Sequence, residues 1–307
     1  MGKIAFVFSG QGAQYSGMGK ELFEESPAAK AVFTLADSIR PNTSAQCFEG
    51  SKEELGLTIN TQPCLYCVGL AAAEALREQG IVPDAVAGFS LGEIPALVFA
   101  GVLSEKEGFS LVCKRAAFMS EATAKTGGGM AAILKLDSDA VNALCKNYSE
   151  VFPVNYNSPG QIVVAGEKQQ LEAFCKEAKT QGARTVPLAV SGAFHSPFMD
   201  KASEKMREYL KRVPVQSAKI PVYSNCTAMP YGQDAASIAE GISQQINHPV
   251  RWQTIVETLS ADGFDTFVEV GAGKTLCGLI KKTVSGAAIY NVEDAESLHA
   301  TVSALKG

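Results

Sequence analysis

Five residues between positions 88 and 92 have the types and the spacing of a nucleophile turn. The run Gly88-Phe89-Ser90-Leu91-Gly92 follows the apolar residues Ala85-Val86-Ala87 and precedes an apolar helical segment. Glycines on both sides permit the tight strand-to-helix turn that lifts a serine hydroxyl above the edge of a sheet. The start of the following helix would offer free N–H groups to an oxyanion. We therefore predict that Ser90 accepts an acyl group; the alternative is an ordinary turn with a capping serine.

A serine nucleophile needs a general base, and the chain contains three histidines. His195 lies where two different patterns of secondary structure meet, and clefts form at such junctions. His248 precedes Pro249, and we expect it to cap the helix that contains Trp252. His299 lies in a terminal helix of mixed polarity, where a surface position is expected. We favour His195 as the base that takes the proton of Ser90.

Two further residues are ambiguous from the sequence pattern alone. The first apolar strand ends in Ser9-Gly10-Gln11-Gly12, whose backbone could approach an oxyanion or form a simple turn. Arg115 lies on a helix predicted over 104–124, of which one face is apolar. Judged by its neighbours alone, Arg115 would point outward into a surface ion pair.

The order of strands and helices predicts an α/β fold with an inserted small domain. Apolar strands at 3–9 and 85–88 alternate with amphipathic helices, which indicates a hydrolase-like large domain with a mostly parallel sheet. Helices are predicted over 27–39, 91–101 and 104–124, the last with Ser104 and Glu107 at capping-box spacing. Between 130 and 190 the order changes to βαββαβ, the ferredoxin-like arrangement, whose last strand is predicted over 183–190. We therefore predict three segments, with the large domain at 1–125, the ferredoxin-like insert at 126–194 and the large domain again at 195–307.

Composition excludes several classes of function. The 307 residues include 46% hydrophobic and 19% charged residues with a net charge of −5, which is typical of a globular enzyme and not of a nucleic-acid-binding protein. No apolar run approaches the roughly 20 residues that span a bilayer. The eight cysteines include one close pair, Cys64 and Cys67, which we interpret as two core positions and not as a metal or redox site. We expect reduced thiols, no bound metal and a cytoplasmic location.

Seven motifs along the whole chain resemble the malonyl-CoA:acyl carrier protein transacylases of fatty-acid synthesis. They are Phe8-Ser9-Gly10-Gln11-Gly12-Ala13-Gln14, Thr61-Gln62-Pro63, Gly88-Phe89-Ser90-Leu91-Gly92-Glu93, Lys114-Arg115-Ala116-Ala117-Phe118-Met119, Asn155-Tyr156-Asn157-Ser158-Pro159-Gly160-Gln161, Ala193-Phe194-His195-Ser196 and Asn247-His248-Pro249-Val250-Arg251-Trp252.

The resemblance implies a role for each matching residue. Ser90 matches the nucleophile and His195 the base of a dyad that lacks a catalytic aspartate. The backbone N–H groups of Gln11 and Leu91 match the oxyanion hole. Arg115 matches the arginine that binds the free carboxylate of the malonyl group, which reverses the surface position expected from its neighbours. Gln245 matches the residue whose backbone carbonyl orients the histidine, and Gln62 matches a glutamine that lines the same cleft.

One position departs from the family pattern. The family usually has histidine immediately before the nucleophile, and this chain has Phe89, which would border the acyl pocket. Phe194 matches the bulky residue of the malonyl-preferring pattern, which leaves little room for a branched acyl group. The resemblance thus implies malonyl-CoA as the favoured substrate.

The resemblance implies transfer of malonyl from malonyl-CoA to the phosphopantetheine thiol of acyl carrier protein, without a cofactor, for fatty-acid synthesis. We expect a monomer that binds neither nucleic acid nor a membrane. Polyketide assembly is the alternative pathway, and a serine esterase or an inactive carrier-binding module are the rivals from other classes. Because carrier proteins are acidic, docking needs a local basic patch. The candidates are Lys281-Lys282 and a cluster at Lys201, Lys205, Arg207, Lys211 and Arg212.

Overall fold

Two β-sheets and fourteen α-helices form the chain in a computed structural model that describes residues 2–190 and 192–307. The strands are β1 (Lys3–Phe8), β2 (Ala85–Gly88), β3 (Gly129–Leu134), β4 (Val151–Ser158), β5 (Gln161–Gly166), β6 (Arg184–Pro187), β7 (Val222–Tyr223), β8 (Phe264–Val270) and β9 (Ala288–Val292). The helices are α1 (Lys20–Glu25), α2 (Pro27–Ile39), α3 (Thr43–Glu49), α4 (Lys52–Gly56), α5 (Thr58–Glu78), α6 (Glu93–Phe99), α7 (Glu105–Thr126), α8 (Ser138–Cys145), α9 (Lys168–Thr180), α10 (Asp200–Leu210), α11 (Ala235–Gln244), α12 (Trp252–Ala261), α13 (Thr275–Thr283) and α14 (Ala295–Lys306). Short 3₁₀ turns at Ser90–Gly92 and Pro197–Met199 complete the helical elements.

The larger sheet has five parallel strands in the order β7-β2-β1-β8-β9. Side chains of a strand alternate between the two faces of its sheet. In β1, Phe6 and Phe8 contact the ring of Phe99 on α6, whereas Ala5 and Val7 belong to a second core that contains Trp252 of α12. Both faces of the central strand are therefore covered by helices, as the near-continuous apolar run of β1 predicts.

The smaller sheet has four antiparallel strands in the order β4-β5-β3-β6, with α8 and α9 in the connections. This strand order is that of the ferredoxin-like βαββαβ unit. The unit has its own apolar core, in which Phe174 of α9 is fully buried. The predicted fold class, a parallel α/β layer with an inserted ferredoxin-like unit, is confirmed. The domain limits at 126 and 194 remain predictions, supported by sheet strands that lie between Gly129 and Pro187.

Several elements differ from the sequence prediction. Helices α1, α3 and α4 were not predicted, because helices of five to seven residues are too short to show a clear apolar period. The helix expected over 91–101 begins as a 3₁₀ turn before α6. The strand expected over 183–190 ends at Pro187. Ser191, in the segment between this strand and His195, lies outside the described residues.

In the described part of the chain, no helix combines the length and the apolar character needed to cross a membrane. The eight cysteines are unpaired, and Cys64 and Cys67 are buried in α5.

Candidate active site

Ser90 stands on a sharp turn between β2 and α6. Its φ is +51°, a conformation that residues other than glycine rarely adopt. The flanking glycines are required by close packing: a Cβ on Gly88 would lie 1.9 Å from the carbonyl carbon of Gly92, and one on Gly92 would lie 2.2 Å from the Phe8 oxygen. The turn therefore packs directly against the ends of β1 and β2, as the glycine spacing predicts.

His195 faces the hydroxyl of Ser90. Its Nε2 lies 2.6 Å from Ser90 Oγ, and its Nδ1 lies 2.9 Å from the backbone oxygen of Gln245. Because a carbonyl only accepts, Nδ1 carries the proton and Nε2 is free to accept the serine proton. Burial and then the charge of Arg115 lower the pKa of His195 to about 3. The imidazole is thus neutral, as a general base must be before the reaction.

The other two histidines lie away from this pair. His299 is on the surface, 3.5 Å from a carboxylate oxygen of Glu25, as its sequence context predicts. The capping position expected for His248 is wrong, because the helix at Trp252 has Arg251 at its N-cap with no side-chain cap. His248 Nδ1 instead lies 2.9 Å from the oxygen of Gln244, at the end of α11.

Arg115 is almost fully buried beside the serine, with 1% of its surface exposed. The outward position expected from its neighbours alone is therefore wrong. One Nη donates to Gln62 Oε1 at 2.8 Å; the other lies 2.9 Å from Gln245 Oε1 and 3.3 Å from Ser90 Oγ. Burial lowers the pKa of Arg115 to about 10, so the guanidinium stays charged at neutral pH. Its Nε is buried without a partner among the described residues. The site thus holds a fixed positive charge, and the guanidinium has N–H groups that remain free to donate hydrogen bonds to a ligand.

Gln245 connects the three groups. Its backbone oxygen accepts from His195, its Oε1 accepts from Arg115, and its Nε2 donates to the backbone oxygen of Ser90 at 2.5 Å. One residue thereby contacts the imidazole, the guanidinium and the serine backbone. The backbone carbonyl matches the role that the family resemblance implies, whereas the side-chain contacts are visible only in the structure.

Asn225 was missed by the sequence analysis. It is fully buried; its Nδ2 donates to the oxygen of Gly88 at 2.7 Å, and its Oδ1 accepts from the N–H of Ser90 at 2.8 Å. The side chain thus bridges the backbone on both sides of Phe89. Asn225 follows β7, the neighbour of β2, and a polar residue at the carboxyl end of an adjacent parallel strand was the available signal.

Glu93, which the sequence pattern did not single out either, holds Asn225 in place through a hydrogen bond. Its fully buried carboxylate accepts from the backbone N–H of Asn225 and the hydroxyl of Tyr231, each at 2.6 Å. Burial raises the pKa of Glu93 to about 7, although both hydrogen bonds and the charge of Arg115 act in the opposite direction. A glutamate in the first turn of a helix usually faces solvent, so its burial was not predictable from its position.

A cleft of about 260 Å³ opens from the serine between the two sheets. Its lining includes Gln11, Phe89 and Phe194, together with Ala132 and Val163 of the small sheet. Phe89 packs edge-on against Trp252, with the ring centroids 5.6 Å apart. Leu91 is buried behind Ser90 as the second residue of the 3₁₀ turn, where an N–H has no acceptor within the helix.

This geometry can transfer an acyl group. A serine hydroxyl beside a neutral imidazole can attack a carbonyl carbon, and the charged guanidinium can hold a negative group attached to the acyl chain. Residues 5–301 match the family described as acyl transferase domain. Fold and sequence therefore define the chain as an acyltransferase.

Similarity over the full length of the chain shows which family of acyltransferases it belongs to. The chain is 43% identical over 312 residues to the malonyl CoA-acyl carrier protein transacylase of Bacillus subtilis strain 168, covering all of this chain and 98% of that one. The solved transacylase of Clostridium perfringens is 36% identical, with a TM-score of 0.95 over 99% of this chain and 97% of that one. The chain belongs to the malonyl CoA-acyl carrier protein transacylase family.

One further solved structure contains a partner. It is described as a type II PKS acyl-carrier protein in complex with its malonyl-transacylase, and it matches this chain at 35% identity and a TM-score of 0.94, covering 98% of this chain and 99% of that one. The acyl carrier protein in that structure belongs to the relative.

Proposed function

We propose that this chain transfers the malonyl group of malonyl-CoA to the phosphopantetheine thiol of acyl carrier protein, through an acyl-Ser90 intermediate. The observation that carries the proposal is the buried guanidinium of Arg115, 3.3 Å from Ser90 Oγ. An acyl group that ends in a free carboxylate would pair with this cation while its carbonyl meets the serine. The names of the full-length relatives support the same donor and acceptor.

In the first half-reaction, Ser90 Oγ attacks the thioester carbon while His195 Nε2 accepts the hydroxyl proton. The displaced electron pair moves onto the carbonyl oxygen, which the backbone N–H groups of Gln11 and Leu91 stabilise. When the carbonyl re-forms, the carbon–sulfur bond breaks. The sulfur takes the proton from His195, and coenzyme A leaves as the thiol.

The second half-reaction runs the same steps in reverse with a different thiol. His195 takes the proton of the phosphopantetheine thiol, the sulfur attacks the acyl-serine, and the carbon–oxygen bond breaks. The proton returns to Ser90 Oγ. Because the exchange is redox-neutral and its protons pass through His195, we retain the prediction that no resident cofactor is used.

Arg115 selects the acyl group in this proposal. Gln62 and Gln245 each occupy one Nη, which holds the guanidinium plane and leaves its remaining donors for the malonyl carboxylate. Phe194 and Phe89 border the cleft and limit the width of the acyl chain.

Intact-mass measurement after mixing with malonyl-CoA tests the proposal. The wild type should gain one malonyl group, which peptide mapping should locate on Ser90, and acyl carrier protein should remove it. Ser90→Ala should gain none. The matched control is Ser9→Ala, since Ser9 is a second buried serine that borders the same cleft and should be dispensable. A malonyl adduct on Ser90→Ala would falsify the assignment of the nucleophile.

The esterase rival requires a carboxylate behind the histidine and water as the acceptor. The partner of His195 Nδ1 is instead a backbone carbonyl, which supports the transferase. Faster release of malonate to water than to carrier protein would favour the esterase. Polyketide assembly is the alternative pathway, and parallel assays with fatty-acid and polyketide carrier proteins would distinguish the two acceptors. The cytoplasmic location and the monomeric state remain predictions.

A further inference from the structure

Tyr231 contacts groups that support both Ser90 and His195. Its backbone N–H donates to an oxygen of β7 at 2.8 Å, which ties the residue to the edge of the parallel sheet. Its hydroxyl meets Glu93 in the first turn of α6, and its ring meets Gly241 on α11. Helix α6 follows the turn that carries the nucleophile, and α11 precedes the residue that orients the base. One side chain thus touches both helices.

The hydroxyl of Tyr231 begins a chain of hydrogen bonds that ends at the nucleophile. It donates to Glu93 Oε1 at 2.6 Å, and Glu93 Oε2 accepts from the backbone N–H of Asn225 at the same distance. Asn225 Oδ1 in turn accepts from the N–H of Ser90 at 2.8 Å. Because Glu93 and Asn225 are fully buried, bulk water does not replace a partner that either of them loses. The position of Asn225 therefore depends on the hydroxyl of Tyr231.

The ring of Tyr231 begins a second chain of contacts, which ends at the general base. A Cβ on Gly241 would lie 2.7 Å from Tyr231 Cε1, closer than Cβ atoms approach other atoms, so the ring packs tightly on α11. The backbone oxygen of Gly241 accepts from the N–H of Gln245 at 3.0 Å. The backbone oxygen of Gln245 lies 2.9 Å from His195 Nδ1. A displaced ring would thus move the group that orients the imidazole.

The two chains of contacts also meet each other. Gln245 Nε2 donates to Asn225 Oδ1 at 3.1 Å, which closes a loop of contacts around the Ser90 turn. Tyr231 also borders a surface cavity of about 460 Å³, which Gly241 and Gln244 line as well. Open space takes the place of packed side chains at this cavity. The hydrogen bond to Glu93 is therefore needed to hold the tyrosine side chain in place.

We propose that Tyr231 is a positioning residue for acyl transfer, which holds the Ser90 turn and the support of His195 at a fixed distance from each other. The inference rests on the proposed function, because it assigns Tyr231 a part in the reaction of that dyad. A misplacement of about 1 Å between reacting groups can slow a reaction about 100-fold, so small shifts of either support matter. The competing explanation is that Tyr231 only stabilises the large domain.

Removal of the hydroxyl alone tests the proposal. Tyr231→Phe keeps the ring against α11 and removes the donor to Glu93. The matched control is Tyr148→Phe, since Tyr148 also donates to a glutamate at 2.6 Å, but its ring packs on Phe174 in the core of the ferredoxin-like unit. Single-turnover intact mass at increasing concentrations of malonyl-CoA measures the malonylation of Ser90. Urea denaturation measures the stability of each protein.

In Tyr231→Phe, the malonylation rate at saturation should fall about tenfold, the equivalent of one lost hydrogen bond to a charged group. KM for malonyl-CoA should stay within about twofold, because Arg115 keeps its contacts. Tyr148→Phe should react like the wild type. Added to Asn225→Ala, Tyr231→Phe should slow malonylation by less than a further twofold or so, because the path from the hydroxyl to Ser90 is already broken.

A second substitution tests the ring of Tyr231. Gly241→Ala places a methyl group against the ring and should slow malonylation at saturation about fivefold, with KM again nearly unchanged. Alanine is the better helix former, so this variant should fold. Its matched control is Gly278→Ala, also on a helix, where an added Cβ meets nothing within 4 Å and malonylation should be normal.

Three outcomes would overturn the inference. A normal malonylation rate in both Tyr231→Phe and Gly241→Ala would show that the tyrosine positions neither group. A lowered stability with normal malonylation per folded molecule would leave Tyr231 only a structural role. Full additivity of Tyr231→Phe and Asn225→Ala would show that the hydroxyl does not act through Asn225. Failure of the proposed function is distinguishable, because the wild type itself would then lack the malonyl adduct.

Discussion

At the scale of single residues, the reactive geometry depends on side chains that hold backbone groups. Ser90 has a positive φ, and its N–H and C=O are bound by Asn225 and Gln245 respectively. A non-glycine residue in this region of φ and ψ persists only where its surroundings hold it there. The bond from Asn225 Nδ2 to the oxygen of Gly88 fixes the other side of the turn.

Replacement of Asn225 should therefore slow the chemistry without weakening substrate binding. Asn225→Ala removes the acceptor of the Ser90 N–H and the donor to Gly88. We expect the rate of Ser90 malonylation at saturation to fall about 10- to 100-fold, the equivalent of losing these two hydrogen bonds. KM for malonyl-CoA should stay within about threefold, because Arg115 keeps its contacts. Single-turnover mass spectrometry measures both quantities.

Asn247→Ala is the matched control for this prediction. Asn247 also donates a hydrogen bond, to Asp200, but it lies at the surface. If Asn225→Ala raised KM and left the saturated rate unchanged, Asn225 would not be a positioning residue of the turn.

Arg115 should determine the preference for a malonyl group over an acyl group without charge. Arg115→Ala should reduce kcat/KM for malonyl-CoA about 100-fold, because a buried charge-assisted pair with the carboxylate is lost. The value for acetyl-CoA, which has no carboxylate, should change by less than about tenfold. A competition assay between the two thioesters measures the ratio. Lys114→Ala on the exposed face of the same helix should leave it unchanged, and parallel losses for both substrates would contradict the assignment.

At the scale of elements, the site depends on how closely a turn and two strands can approach. Gly92 lies so near β1 that an added Cβ would be 2.2 Å from the oxygen of Phe8 and 2.8 Å from the Phe8 carbonyl carbon. Backbone atoms of a central strand cannot move aside as a flexible side chain can. The position of the turn that carries Ser90 is thus fixed by its contact with the backbone of β1.

Two glycine-to-alanine substitutions should therefore have opposite effects. Gly92→Ala should destabilise the fold by more than about 2 kcal/mol and abolish malonylation, because β1 and the Ser90 turn must separate. Gly278→Ala on α13, where an added Cβ meets nothing within 4 Å, should stabilise by about 0.5–1 kcal/mol. Urea denaturation measures both changes. Equal stability of the two variants would contradict this account of the turn.

The sequence predicted best those elements whose pattern is local and long. Helix α2 has the predicted bounds Pro27–Ile39, and α7 begins after Ser104, whose capping box with Glu107 was visible in the spacing. Strand β6 was predicted too long, because the apolar residues Leu188 and Val190 suggested continued pairing. Those two side chains line the cleft instead. An apolar residue does not reveal whether it covers a core or a substrate.

At the scale of the whole molecule, the fold buries two carboxyl groups whose pKa is raised well above the usual value for a glutamate. Burial raises the pKa of Glu93 and of Glu269 to about 7 in each case. Glu269 accepts from the N–H groups of Leu276 and Cys277 at the start of α13, and Glu93 lies beneath Asn225. These groups couple the stability of the large domain to pH.

The sign of this coupling follows from the proton balance. Between pH 4.5 and 7, Glu93 keeps its proton in the folded chain and loses it in the unfolded chain. The stability that neutral Glu93 contributes is therefore lost as the pH rises to 7. The free energy of unfolding of the wild type, minus that of Glu93→Gln, should fall by about 3 kcal/mol between pH 5 and pH 8.

Urea denaturation at several pH values measures this difference. The low pKa of His195 has the opposite effect below pH 6.5, but it is present in both proteins and cancels. Glutamine can keep both contacts of Glu93, because the hydroxyl of Tyr231 can accept as well as donate. A difference that stayed constant with pH would mean that Glu93 titrates normally.

The sequence by itself determined the features that depend on neighbouring residues: the glycines around Ser90, the alternation of strands and helices, and the βαββαβ insert. Motif by motif, it also indicated the family. The tertiary structure decided which distant residues meet, since Arg115, Asn225 and Gln245 reach Ser90 from three separate segments. It also decided that Arg115 is buried and that Lys201 and Lys211 on α10 are paired with carboxylates. Burial and charge pairing depend on long-range packing, which local sequence spacing does not specify.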